Sequence, residues 1–532
     1  MIESAPWLTI APPIVAIVLA ILTRRVMISL GAGVVAAAAL VASFDPLETL
    51  RLIWESFITL FWSDGALDTW YIYILLFIVL LGVMAAFVMM SGGTKAFADW
   101  AVQRIRTRRG GQLLPAILGI VIFIDDYFNA LAVGQISRPV TDVHRISRAK
   151  LAYIVDSTSA PVAVLAPFSS WGAYIIGILA PIVAASALTI SSVEAFLGAA
   201  AANYYAIAAV ALVWLVILLR VDIGPMRTEE RRAIETGEPF KAGEVIPGQL
   251  SENVPVHEPG ARRALVVPFV ALVVGVLAAI VWTGVDASGS WAPVEILAAT
   301  DTTLALVIGG VIGLAFAIYY YAHYTRGKAG FGWGGFGRAW LGGIKAMLPA
   351  IGVLLLAWML GSLIDQLGTG AFLGSVVEAS DLAPQWLIPI VFVVAAAMAF
   401  STGTSWGSFG LLLPIAGGII NSVDAPELLL PVLGAVLAGA VAGDHSSPIS
   451  DTTILSSTGA GCNVITHVMT QLPLVGIAGG AALIGYVVLA ATGLIWLGLI
   501  VTLAGAVGAV LVARVVAAPL DENVRVDAEV VS

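Results

Sequence analysis

A single cysteine, Cys462, in 532 residues rules out an intrachain disulfide and any multi-cysteine metal site. Charge is scarce as well. Asp, Glu, Lys and Arg make up 11% of the chain, less than half the ~25% of a soluble globular domain. The net charge of −9 argues against nucleic acid as a partner. Met1 to Pro6 hold Glu3 and no Lys or Arg, so the basic start of a cleaved signal is missing. Trp7 to Leu22 is therefore expected as a retained crossing. The marks of membrane-embedded proteases are absent too. The only His-Glu pair, His257-Glu258, runs on to Pro259-Gly260-Ala261 rather than into His-Glu-x-x-His. Asp444 follows Val441-Ala442-Gly443, which lacks the first glycine of Gly-x-Gly-Asp. Gly403-Thr404-Ser405-Trp406-Gly407 fits a nucleophile elbow by pattern, without the strand-to-helix turn that motif needs. No enzymatic activity and no resident cofactor are expected.

What the chain has is apolar length. It is 60% hydrophobic, with a mean hydropathy of +0.99. A helical crossing takes ~20 apolar residues, and Ile72 to Met90 and Ala195 to Leu219 supply that directly. Peptide groups cannot stay unpaired in lipid, and the short alternating segments of a β-barrel are missing. The expected fold is an all-α polytopic membrane protein in the cytoplasmic membrane.

Lys and Arg gather on the cytoplasmic side of such proteins. They cluster at Arg24-Arg25, Lys95 to Arg109, Arg138 to Lys150, Arg220 to Arg263, Arg326 to Arg338 and Arg514. The stretches between are acidic: Asp45 to Asp68, Glu194, Asp286 to Asp301, Asp365 to Asp381, and Asp424 with Glu427. Threading the chain between these two sides gives about eleven crossings. It also gives two stretches that enter and leave on one side, 112–136 and 386–420, and two broken crossings, 151–190, interrupted at Pro161 and Pro167, and 428–461. Residues 1–220 then match 264–491 element by element in opposite orientation, which predicts two inverted-topology repeats with re-entrant hairpins and broken helices. Residues 221–263 read as a cytoplasmic linker, and 492–532 as an extra C-terminal helix with a polar tail. Amphipathic segments recur at Leu47–Trp62 and Phe331–Leu341.

Polar side chains inside apolar sequence are the candidates for function. Asp125, Asp126 and Asn129 lie at the middle of the first re-entrant stretch. One capping carboxylate explains a helix break there, but not two. Asp156-Ser157-Thr158-Ser159-Ala160 precedes Pro161, which predicts freed carbonyls beside hydroxyls and a carboxylate, the oxygen chemistry that hard cations take. Thr402 and Thr404 occupy the tip of the second re-entrant stretch, where Gly403 and Gly407 permit unusual backbone shapes. Asp444, Ser446, Ser447 and Asp451 surround Pro448 in the second broken crossing, and Pro448 predicts separate roles for the two carboxylates. His445 and His467 read first as hydrogen-bonded structural histidines, and second as groups that titrate near neutral pH. A carboxylate in a low-dielectric site holds either a proton or a cation, which is the competition that exchange requires. Loss of exchange on Asp156→Asn or Asp444→Asn is the expected consequence.

At these residues the chain resembles the NhaC-type sodium/proton antiporter family, within the wider ion-transporter superfamily. The matching blocks are FIDDYFNALAVGQISRPVTDVHRISRAKLAYIVDSTSAPVAVLAPFSSWGAYI (Phe123 to Ile175), FSTGTSWGSFGLLLP (Phe400 to Pro414) and GDHSSPISDTTILSSTGAGCNVITHVMTQLP (Gly443 to Pro473). The resemblance implies a sodium-coupled antiporter exchanging Na+ for H+, with a scaffold part and a moving transport part, and leaves room for a homodimer. It implies an ion site drawn from Asp125, Asp126, Asn129, Asp156, Ser157, Thr158, Thr402, Thr404, Asp444, Ser446, Ser447 and Asp451. Some relatives in that family look like sodium-coupled exchangers of small carboxylates such as malate and lactate, which is the alternative. Arg138 and Lys150 would suit an anion, but they sit in a basic stretch that reads as an orientation signal.

Overall fold

Apolar runs that must pair every peptide group internally fold as helices. In the computed structural model, the regular elements among the described residues are helical apart from a two-stranded ribbon pairing Trp62-Ser63 with Ala66-Leu67. The structure describes residues 6–23, 26–63, 65–123, 126–167, 169–244, 246, 255–328, 330–369, 372, 383–423, 425–517 and 519–520. Arg24-Arg25, Asp125, Asp381, Asp424 and the tail after 520 lie outside the described residues. Among those described, seven helices are long and apolar enough to cross a membrane, or eight if the bent pair Ser192–Ala201 and Tyr204–Leu219 is one span. The sequence reading of about eleven also used shorter apolar stretches, of which Met27–Val41 and Tyr174–Ala184 are helical.

The acidic residues that marked one side do local work at helix starts. Asp45, Asp68 and Asp301 cap the helices Pro46–Ile58, Thr69–Met90 and Thr302–Thr325, each side chain accepting a backbone N–H of the first turn. Ser191 and Glu194 form a capping box before Ser192–Ala201. Residues of the basic clusters form ion pairs. Arg108 pairs with Glu230 at 2.5 Å, Lys150 with Asp222 at 2.8 Å, and Lys95 with Glu258 at 2.7 Å.

Small residues let the helices approach closely. A methyl group added at Gly443 would meet the Ala396 carbonyl at 2.0 Å, and one at Gly439 the Phe392 carbonyl at 2.1 Å. Leu387–Thr402 and Leu429–Ser446 therefore pack backbone to backbone.

Both stretches expected as re-entrant are helical pairs. Arg108–Val121 is followed by Asp126–Val143, and Leu387–Thr402 by Ser405–Ser422. Each pair precedes an interrupted helix: Arg148–Ala163 with Ser170–Ala184, and Leu429–Ser446 with Asp451–Ala460.

Three expectations change. The segment Asp156 to Pro161 is not broken: the helix Arg148–Ala163 runs through it, and the interruption falls only at the second expected proline, Pro167, before Ser170–Ala184. Pro161 removes one N–H near the end of the helix, a loss that neighbouring polar groups offset in membrane helices. The crossing read as Ala195–Leu219 is bent by 54° between Ala201 and Tyr204. There Asn203 caps the second helix, accepting from Ala206 N at 3.0 Å. The segment Phe331–Leu341 leads straight into one long helix, Trp333–Gln366. The described part of the linker includes the helix Gly224–Thr236, whose Glu230 pairs with Arg108, while Asp222 pairs with Lys150.

Candidate functional site

Asp156 sits in the helix Arg148–Ala163 with 1% of its surface exposed. Its carboxylate gathers donors from two other helices. Asp451–Ala460 brings Ser456 Oγ to 3.0 Å and Thr453 Oγ1 to 3.4 Å. Val464–Thr492 brings Gln471 Nε2 to 2.9 Å and His467 Nε2 to 3.2 Å. Spacings of three (Thr453, Ser456) and four (His467, Gln471) place each pair on one helix face.

His445 joins from a further helix, Leu429–Ser446, with Nε2 at 3.7 Å from the same carboxylate and 3.2 Å from Ser157 Oγ. Its Nδ1 is 2.8 Å from the Tyr205 hydroxyl, and Gln471 donates to its carbonyl at 2.6 Å. Both histidines, which read first as structural, thus face Asp156.

Asp444 is next to His445 in the chain and equally buried. Its Oδ2 accepts from Ser405 Oγ at 2.7 Å, while Oδ1 is buried with no hydrogen-bond partner. Ser405 opens the helix Ser405–Ser422, whose cap Thr404 accepts from Trp406 N at 3.3 Å. The positive end of that helix therefore lies by the carboxylate. Gly403 makes the reversal possible: its φ is +74°, and a methyl group there would meet the Ile449 carbonyl at 2.5 Å. The hairpin tip therefore seats on the break in the next interrupted helix, and Ser447 Oγ donates to Phe400 O at 2.7 Å across the same contact.

Asp451 starts the helix beyond that break. It accepts from Thr452 N at 2.8 Å and from the Tyr127 hydroxyl. Asp126, the described member of the first pair, accepts from Trp171 Nε1 at 2.8 Å. The remaining candidates bond to backbone. Asn129 Nδ2 lies 2.6 Å from Gly119 O, 2.8 Å from Ile122 O and 3.3 Å from Thr158 O, tying the first hairpin to the Asp156 helix. Thr158 donates to Ile154 O at 2.7 Å, Thr402 to Met398 O at 3.0 Å, and Ser446 to Ala442 O at 2.7 Å.

Sequence reasoning missed Ser405, Ser456, Gln471, Tyr127 and Tyr205 as partners. The paired spacings on one helix face were the available signal for Ser456 and Gln471. Among the described residues, no three of His, Cys, Asp and Glu converge in a metal-holding group. Across the break, Asp451 and Ser450 lie close enough to Asp444 to act on it electrostatically. Arg138 and Lys150 are engaged elsewhere, with Thr458 O and Asp222.

Two cavities adjoin the carboxylates. One of about 800 Å3 reaches Asp451 and the Thr402 to Thr404 tip, past Trp70, Tyr71 and Trp358. The other, about 530 Å3, reaches Asp126 past Asp301. Trp70, Tyr127, Tyr174 and Trp406 line both.

Polar groups buried at helix interruptions in a many-helix membrane protein define the class of ion-coupled secondary transporters. The chain belongs to the Na+/H+ antiporter family, whose model matches residues 162–491. It is 41% identical over 495 residues to an uncharacterized protein of Haemophilus influenzae, covering 92% of each chain. Over 122 residues it is 33% identical to an uncharacterized Na(+)/H(+) antiporter of the same organism, 23% of this chain and 24% of that one. Over 137 residues it is 31% identical to the malate-2H(+)/Na(+)-lactate antiporter of Bacillus subtilis, 25% of this chain and 27% of that one. The protein is a secondary transporter of the antiporter type.

Proposed function

We propose that the protein exports Na+ across the cytoplasmic membrane in exchange for H+, by alternating access, with Asp444 as the carboxylate that trades the two ions. The observation that carries this reading is the buried Oδ1 of Asp444, which has no hydrogen-bond partner while Oδ2 holds Ser405. A buried carboxylate in that position needs either a proton or a cation. Asp156 is the fixed counterpart, held by four side-chain donors. His445 connects the two, following Asp444 in sequence and facing Asp156 in space. A change of occupant at Asp444 is therefore felt at the helices around Asp156. A small-carboxylate exchanger, suggested by the B. subtilis relative's name, gains no support from the two cavities that reach Asp126 and Asp451, whose charged lining residues are all acidic among the described residues.

The test is internal pH in proteoliposomes of the purified protein, with Na+, Li+, K+ and malate or lactate gradients imposed separately. A Na+ gradient alone is expected to drive protons. Proton movement that strictly requires the carboxylate would overturn the reading.

A further inference from the structure

The two cavities are far larger than a bare ion needs. One water occupies about 30 Å3 of liquid, and small organic ligands occupy pockets of ~300–1,000 Å3. The larger space, about 800 Å3, is in that range. Its walls are aromatic. Trp70, Tyr71 and Trp358 form one cluster, with ring centroids 4.8 Å apart for Trp70–Tyr71, 4.9 Å for Tyr71–Trp358 and 6.0 Å for Trp70–Trp358. Tyr174 and Trp406 form a second, 4.7 Å apart. The charged residues lining the two spaces are Asp126, Asp301, Asp365 and Asp451, with no Lys, Arg or His among the described lining residues.

A vestibule for hydrated Na+ alone has no use for so many π-faces, and an anion would find no positive partner. Aromatic rings with carboxylates between them are the chemistry that binds organic ammonium groups, through cation–π attraction on the faces and charge at the carboxylates. We propose that this vestibule binds a small organic ammonium ion as a second transported cation, accepted in place of Na+. The inference rests on the proposed Na+/H+ exchange for its coupling and adds the substrate class. Asp451 on this lining is buried, with its Oδ2 accepting from Tyr127, and Asp365 on the same lining is exposed. The ammonium thus has a carboxylate to leave and one to reach.

Tetramethylammonium and choline are the probes, because they cannot lose a proton and cross the lipid as neutral amines. A tetramethylammonium or choline gradient across proteoliposomes is expected to drive proton flux. The concentration for half-maximal flux should rise about tenfold or more in Trp358→Ala and in Asp365→Asn, with thermal unfolding of the purified variants checking that both are folded. If Na+ moves protons and neither ammonium does, this inference is wrong and the Na+/H+ reading survives. If the ammonium ions move protons and Na+ does not, the Na+ reading fails and the vestibule assignment stands. Wild-type half-maximal concentrations in both folded variants would also overturn it.

Discussion

Asp156 and Asp444 are equally buried, and both lie in the first half of an interrupted helix. Their surroundings differ. Asp156 accepts from two hydroxyls, an amide and an imidazole, delivered by two helices. Asp444 accepts from Ser405 and has one oxygen without a partner. A carboxylate with both oxygens bonded is already compensated as an anion, so it can hold helices together without binding anything further. A carboxylate with a bare oxygen is costly until a proton or cation arrives. The comparison separates two duties that a count of acidic residues would merge: one carboxylate organises the transport core, and the other exchanges.

The sharpest way to break this contrast is to delete the organiser. Asp156→Ala leaves the ring of His467 and the hydroxyls of Ser456 and Thr453 without this acceptor and removes one of the two bonds of the Gln471 amide, and should cost about 3–5 kcal/mol of stability. Denaturant or thermal unfolding of the purified protein reads this. A loss under about 1 kcal/mol would mean that the network holds little together. A smaller effect is expected from Ser405→Ala, which removes the Oγ donor to Asp444. It should change the apparent Na+ affinity by about 3–10-fold with little change in unfolding, read from the Na+ dependence of proton flux.

The smallest effect concerns the docked linker. Glu244 accepts from Thr466 Oγ1 at 3.0 Å, one residue before His467. Burial raises its pKa above the ordinary carboxylate value, and the Thr466 hydrogen bond opposes that rise only in part. A raised pKa means that the folded protein favours the protonated form. Its contribution is therefore full below the ordinary value of ~4.3 and is lost as pH rises through the raised one. The protection of amides in 241–244, taken relative to their intrinsic exchange rate at each pH, should rise on acidification in wild type and lose that rise in Glu244→Gln.

Much of this arrangement was legible beforehand because Gly, Pro and hydroxyl clusters mark where a membrane helix cannot continue. Thr402-Gly403-Thr404 and Ser446-Ser447-Pro448 lie at the observed reversal and break. Pro161 misled, because a proline near a helix end costs a single hydrogen bond and the helix runs past it. The interruption lies instead at the second expected proline, Pro167, between Arg148–Ala163 and Ser170–Ala184, and Ser169 caps the second helix by accepting from Gly172 N at 2.9 Å. The partners of Asp156 were the least visible part. Gln471 and His467 stand just before a stretch that reads as an ordinary crossing, and their carboxylate lies 315 and 311 residues away along the chain. Helical spacing can place two residues on one face, but only tertiary packing says what that face meets.

The central claim is that the bare oxygen of Asp444 is where Na+ and H+ compete. Its most direct test is Na+-driven proton flux in proteoliposomes of Asp444→Asn, with thermal unfolding measured on the same preparation. The account predicts a flux lowered about 100-fold or more in a protein whose unfolding midpoint has not fallen. A wild-type rate of Na+-driven proton movement in Asp444→Asn would contradict it.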